Sequence, residues 1–425
     1  MYALKLELKL NNKERSKLKG CAGFSRFVYN FGLDMLKQSW NFQAVKATDT
    51  ARLLKIEKLF TNVVKPKAEY SWIKEYPSAI YSNAFRNLAK ALVKWRKGTS
   101  GFPQLKSKKN GDSFTVLKKA GIYDQTVKEG GKLLPFTNRQ VLQPGKKITI
   151  PGLGEFRLKR AIPFLCSSQT FTISRTADKW FVSFTLDIDR VPPIIHPVKQ
   201  VGVDLGVKCL ATVSDGTKYE MPLTTKTAKT KLDKLQWHNR NKVMGNKKLK
   251  VRASNNAKKQ YVKVSRLHAR IASIRIDTVH KMTTDLSRRV YNIRIEDLNV
   301  QGMIANHKLA SAVSNNCFYE IRRQLTYKQA HYGTKVELVD RWYPSSKTCS
   351  KCNQIQPLSL SERVFQCQNA ECGHIQDRDE NASINLENAP DNKVRPAGSE
   401  LNACGDEGAD SHQRSKKQTS KRRVR

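Results

Sequence analysis

Four cysteines restrict the folding of this chain more than any other group. Cys349 and Cys352 are separated by two residues, Cys367 and Cys372 by four, and a short loop joins the pairs. Thiols at these spacings fit a structural zinc site. Four thiolates fill a tetrahedral shell and leave no open position, so the ion would staple the chain and not react. His374 follows the last thiol and is an alternative ligand; either pair alone would also fit a redox dithiol. Cys21, Cys166, Cys209 and Cys317 stand in apolar or mixed stretches and read as ordinary buried residues, with Cys404 incidental.

Charge sets the partner. The 425 residues carry 78 Lys+Arg against 36 Asp+Glu, a formal net charge of +42. Such an excess repels itself unless a polyanion neutralises it, so nucleic acid is expected. A membrane is not, because no stretch reaches the ~18 apolar residues of a spanning helix. The nine cysteines are an odd number, and MYALKLELKL alternates like a half-buried strand and not like a signal peptide. A reducing, cytoplasmic setting follows.

The texture changes along the chain. Leu4, Leu6, Leu8 and Leu10 share one face of the opening strand. From about Lys13 to Lys97 the spacing is helical: Phe24, Phe27, Val28, Phe31 and Met35 form one stripe, Ile80, Phe85, Leu88 and Leu92 another. Both stripes read as core. Asn83, Arg86 and Lys90 lie on the second helix and are candidate nucleic-acid contacts. Lys106 and Lys108, in the basic loop GFPQLKSKKNGDSF, are candidate phosphate contacts, against the plainer reading of a surface loop. KITIPGLGEFRL, TFTISRT and KWFVSFTLDI then read as strands of a small barrel or open sheet that the opening strand completes. Residues from about Lys229 to Lys263 are polar, and Leu267, Ile271, Ile274, Val279, Met282 and Leu286 mark a long amphipathic helix. After about Asn388 the composition is that of a disordered basic tail.

Three carboxylates stand between residues 204 and 379. In VGVDLGVK, Val201, Val203 and Leu205 point one way from a strand, and Asp204 the other, between Gly202 and Gly206. The glycines leave room for a metal and a backbone phosphate. A structural Asp in a buried strand and an actin-like ATPase turn are the rival readings of this motif. In IRIEDLNV, Glu296 has the opposite parity to Ile293 and Ile295 and is preferred to Asp297, since adjacent acids on a strand cannot both face one site. Asp379 opens a helix with Ala382 and Leu386 on one face; simple N-capping is its plain reading, and Asp377 is close enough to be the ligand instead. Strand, strand and helix start is the layout of an RNase H-like site, in which two Mg²⁺ (or Mn²⁺) ions roughly 3.5–4 Å apart serve phosphodiester hydrolysis. Asp204 would bridge both ions.

The run RIEDLNVQGM, NHKLASAVSN, FYEIRRQLTYKQAHYG, VDRWYPSSKTCSKC and CGHIQDRDENASINL resembles TnpB (OrfB), the transposon-encoded family related to single-chain CRISPR nucleases and Fanzor. The dense match runs from about Val201 to Leu386, with weaker blocks FSRFVYN, GFPQLKSKK and ADKWFVSF upstream. The resemblance implies an α+β multidomain protein: a wedge β-barrel (1–10 and 101–197), a helical recognition insert (11–100), a RuvC nuclease (198–345 and 374–390), an inserted zinc ribbon (346–373) and a tail (391–425). It implies an RNA-guided DNA endonuclease with Asp204, Glu296 and Asp379 as catalytic acids, favouring Asp379 over Asp377, and Zn²⁺ on Cys349, Cys352, Cys367 and Cys372. A guide RNA from the transposon end would select a double-stranded DNA target beside a short motif, with one protein copy per RNA, in the prokaryotic cytoplasm near the nucleoid. Asn353 stands where the first knuckle often has Gly, and Ser383 where Ala is common. A nuclease-dead DNA-binding regulator and an RNase H-like transposase are the alternatives. Three intact acids oppose the first, and cysteines between the second and third acids oppose the other.

Overall fold

The computed structural model describes residues 2–41, 48–108, 111–117, 127–129, 132–134, 140–186, 195–207, 209–246, 249–305, 313, 316–359 and 362–397. They fall into two compact units divided after Ile188. Both mix helices and sheet, so the chain is α+β.

The first unit begins with β1 (Tyr2–Lys9), followed by α1 (Asn12–Asn41), α2 (Asp49–Leu59) and α3 (Ser78–Arg96). Asn11 and Glu14 start α1 as a capping box: each side chain accepts from the other's backbone N–H, at 2.7 and 2.8 Å. Then come β2 (Ser113–Leu117), β3 (Val127–Glu129), β4 (Lys132–Leu134), β5 (Gln140–Leu142), β6 (Gly145–Ile150), β7 (Gly154–Ile162), β8 (Cys166–Ser168), β9 (Thr170–Thr176) and β10 (Lys179–Leu186). Six of them form a curled antiparallel sheet in the order β2-β9-β10-β1-β7-β6. β1 pairs with β10 through Glu7, then with β7 at Leu8 and Lys9. The helices are thus an excursion between two strands of one sheet. Leu6, Leu8, Trp180 and Phe184 share its core with Phe24, Val28, Phe85 and Leu88 of the helices.

The second unit is built on a sheet of order β13-β12-β11-β14-β15-β18. Its strands are β11 (Val198–Asp204), β12 (Ala211–Val213), β13 (Lys218–Tyr219), β14 (Val290–Glu296), β15 (Lys335–Val339) and β18 (Val394–Pro396), with β16 (Val364–Gln366) and β17 (Ile375–Asp377) forming a separate hairpin. β11, β14 and β15 run parallel; β12 and β18 are antiparallel to their neighbours. Parallel strands buried on both faces read as apolar runs, and Val201, Val203, Ile293, Ile295, Val336 and Leu338 are all buried. The helices are α4 (Leu223–Asn239), α5 (Asn255–Arg289), α6 (Val300–Ala305), α7 (Phe318–Tyr332) and α8 (Arg378–Glu387).

One expectation needs correction here. The tail does not begin at 391: Val394–Pro396 form β18 beside β15, because Arg294 holds Asp391 at 2.9 Å and Val394 packs with Val339, Leu386 and Ala389. Residues 398–425, with Cys404, lie outside the described residues. The polar stretch near 229–263 is largely helical, because Ala228 and Leu232 need only Ile271 and its neighbours to form a small core between α4 and α5.

Candidate active site and cysteine cluster

The parallel pairing of β11 with β14 sets Val203 opposite Ile295, so Asp204 and Glu296 end adjacent strands in register. The carboxyl ends of parallel strands are where open α/β sheets bind ligands. Asp379 arrives from α8, which lies directly on β11. A Cβ added at Gly202 would meet Ser383 O at 2.0 Å and Glu387 N at 2.4 Å. The space at Gly202 is therefore filled by helix backbone, and the sequence reading that it admits a phosphate is wrong. A Cβ at Gly206 would lie 4.0 Å from Asp379 Oδ2 and 2.9 Å from Cys209 O. Lys208 lies outside the described residues.

Neighbouring acids have other partners. Asp377, not Asp379, caps α8: its side chain accepts from Asp379 N at 3.0 Å and Glu380 N at 3.3 Å. Lys218 pairs with Glu380 at 2.8 Å. Asp297 is held by Arg322 at 2.7 Å, Arg341 at 3.3 Å and Arg395. Burial opposes its charge, but Arg395, Arg341 and Arg322 hold its carboxyl below the usual range. Glu296 instead accepts one hydrogen bond, from Ser345 Oγ at 2.6 Å.

The three remaining carboxylates repel one another. Burial pushes Asp204 well above the usual carboxylate range; the charges of Glu296 and Asp379 push it further, and Arg378 pulls it partly back. Burial likewise raises Glu296, against the Ser345 hydrogen bond and Arg378. Recessed oxygen donors with uncompensated charge suit a hard divalent cation. Among the described residues, only the four thiols bring three or more ligand atoms all within 4.8 Å of one another, so the three carboxylates do not all converge to that distance.

The thiols of Cys349, Cys352, Cys367 and Cys372 do converge, with Sγ–Sγ distances of 3.8 Å (Cys349–Cys372) and 3.6 Å (Cys352–Cys367). A tetrahedron with ~2.3 Å metal–sulfur bonds has edges of about 3.8 Å. His374 is engaged elsewhere, 3.2 Å from Ser350 Oγ and 3.0 Å from Gln376 Oε1. Asn353 has φ 61°, the left-handed conformation that Asn tolerates where a knuckle turns.

The nucleic-acid candidates on the first unit divide. Asn83 is a correction: it is 6% exposed, and its amide donates to Ala79 O and Thr115 O, so it joins α3 to β2. Lys106 is half-buried, its ammonium 4.0 Å from the Tyr29 ring centre and its backbone held by Asn30. Arg86, Lys90 and Lys108 are exposed.

Residues 318–386 match a Cas12f1-like TNB domain, residues 183–307 the OrfB model described as "Probable transposase", and residues 1–43 an OrfB helix-turn-helix domain. A Streptomyces pristinaespiralis protein named, by inference, an RNA-guided DNA endonuclease is 30% identical over 406 residues, 95% of this chain and 91% of its own. The chain belongs to the TnpB family. InsQ of Escherichia coli K12, named in the same way, is 29% identical to this TnpB chain over 386 residues, 87% of each. A cryo-EM structure of Cas12f1 with sgRNA and target DNA shares the fold, with TM-score 0.52 at 15% identity over 89% of this chain and 83% of that one. The residues matched as helix-turn-helix form β1 and the unbroken helix α1 in this TnpB.

Sequence reading misses several residues that hold the TnpB site together. Asn381 and Asn385, one turn apart on α8, both donate to Thr348 O, at 2.7 and 2.6 Å, and Asn385 also reaches Ser345 O at 2.7 Å. Asn316 donates to Gly206 O and Val207 O, fixing the turn after Asp204. Paired asparagines inside an otherwise apolar helix face are the signal that was available for the first two.

Proposed function

We propose that this TnpB chain is an RNA-guided DNA endonuclease in which Asp204, Glu296 and Asp379 hold divalent magnesium or manganese and cut the target. The observation that carries the assignment is the meeting of two in-register strand-end carboxylates with a third in the first turn of α8. When bound, the metal supplies an activated water and neutralises the leaving oxygen. Ser345 fixes the Glu296 carboxylate from outside. Asp377 and Lys218 absorb the neighbouring charges and backbone donors, so Asp379 is left for the ligand. The residues from 198 to 345 and 374 to 397 form the RuvC-type nuclease, the thiol knuckle is its zinc ribbon, and the curled sheet with its helical excursion is the wedge and recognition module. Guide RNA and double-stranded DNA are the partners; a charge of +42 supports both.

The test is to purify the protein from cells carrying its transposon end, sequence the bound RNA, and offer matching duplex DNA with Mg²⁺. Cutting that follows the RNA sequence is expected, and Asp204→Ala should abolish cutting while RNA and DNA binding persist. Cutting that survives Asp204→Ala, or the absence of a specific RNA, would falsify the assignment. For the ribbon, one zinc per chain is expected, lost in Cys349→Ser; unchanged metal content in that variant refutes the four-thiolate site.

A further inference from the structure

Beside the carboxylates, the second unit has a cavity of about 300 Å³ lined by Asp297, Asp340, Arg341, Trp342, Lys393 and Arg395 among others. We propose that this cavity holds a nucleotide of the single DNA strand being cut, its base stacked on the Trp342 indole and its phosphates on Arg341 and Lys393. The inference rests on the nuclease reading of the adjacent acids.

Trp342 is 85% exposed, the more exposed of the unit's two tryptophans (Trp237 is 60%) and one that folding alone does not use. It is nevertheless held in place. Its backbone N–H donates to Asp340 Oδ1 at 2.7 Å, Tyr343 N donates to Asp340 O at 3.0 Å, and Tyr343 packs against Val339, Leu386 and Ala389. The indole therefore sits on a tight turn fixed to β15 and α8. Three cations face two carboxylates around it, and one of those carboxylates, Asp297, already binds Arg341 and Arg395. An apolar protein surface would not settle among these charges. A polyanion that also presents flat π faces would, and unpaired nucleic acid is that ligand. A duplex hides its base faces, so the strand must be single.

Position selects the cut strand. Ser345, which binds Glu296, is three residues from Trp342, at most ~10 Å of extended chain. Arg341 reaches Asp297, the residue after Glu296. Both links set the Trp342 turn at the same end of the sheet as Asp204 and Glu296, within reach of a strand that runs on from the cut phosphate. Base stacking on an aromatic ring also holds the strand without reading its sequence, as a guided enzyme requires.

The test uses the full chain with its guide RNA and single-stranded DNA complementary to the guide. Trp342→Ala should raise the KM for DNA about tenfold with kcat little changed, and Trp342→Phe should restore most of it. A second readout needs no cutting. On the Asp204→Ala background, a short oligothymidine should quench tryptophan fluorescence, and adding Trp342→Phe should remove most of that quench. This titration remains readable if no guide-directed cutting is found, so failure of the nuclease reading and failure of the subsite are separable. An unchanged KM in Trp342→Ala, a quench that persists without Trp342, or a quench by oligouridine and not by oligothymidine each overturns the proposal.

Discussion

Asp204 is where stability and function oppose one another. Its folded pKa lies above the unfolded value near ~3.9, so the native state binds the proton more tightly. The stability this group contributes is present below about pH 4 and lost as pH rises towards its folded pKa. Asp204→Asn removes that dependence. In magnesium-free buffer at neutral pH, the variant should melt above the parent, by about 2–4 °C for each kcal/mol of relieved repulsion. The gap between the two should close as pH falls towards 4, and adding Mg²⁺ should raise only the parent. A variant that melts no higher than the parent at neutral pH contradicts the repulsion described here. Parity along β14 alone separates Glu296 from Asp297 in the sequence, because alternation is a property of any extended chain. The role of Asp377 is not visible in that way, because the residue that caps a helix is decided by one turn of backbone.

The helix α8 carries Asp379 and is fastened at both ends. Its N-terminus is capped by Asp377. At its C-terminus, Gln200 donates to Glu387 O at 2.7 Å, and Arg294 donates to Glu387 O at 3.0 Å and Ala389 O at 2.6 Å. A guanidinium at a helix C-terminus also suits the helix dipole. Arg294 is buried with Glu337, 2.9 Å away. Arg294→Met should cost up to about 3 kcal/mol, since it takes one of two cations from the buried Glu337 carboxylate and leaves Lys335 alone to pair it, and should slow cutting by loosening Asp379. Arg294→Met with Glu337→Met should recover much of the stability but not the rate, because the helix end stays unfastened; chemical denaturation and single-turnover cutting measure the two. Equal recovery of both would refute a positioning role. Strands and apolar helices are legible in this chain because their periods are regular. The helix α4 is not, since a few small residues suffice to dock it, and neither is β18, a three-residue strand in polar sequence held by Arg294 and Arg395.

The charge of +42 belongs to the chain as a unit, and its consequences are collective. Without RNA, the protein should bind single-stranded DNA indiscriminately, with affinity falling about 10³-fold or more between roughly 50 and 200 mM salt. With its guide bound, that background should drop, since the guide neutralises the same cations; fluorescence anisotropy with and without RNA tests this, and a flat salt response would contradict it. The units are legible from composition, whereas the fastening of one motif to another is not, because it runs through backbone carbonyls that sequence does not display. The asparagines of α8 illustrate the point. Asn381 and Asn385 grip Thr348 O, the last carbonyl before Cys349, and Ser350 N donates back to Asn381 at 2.9 Å. Anyone shortening this protein for delivery would see residues 346–373 as a detachable ornament and replace them with a flexible linker. That edit would take away the carbonyl both asparagines hold, leave the buried Asn381 amide without its acceptor and Asn385 with Ser345 O alone, and loosen the helix that presents Asp379. Miniaturisation has to begin elsewhere in the chain.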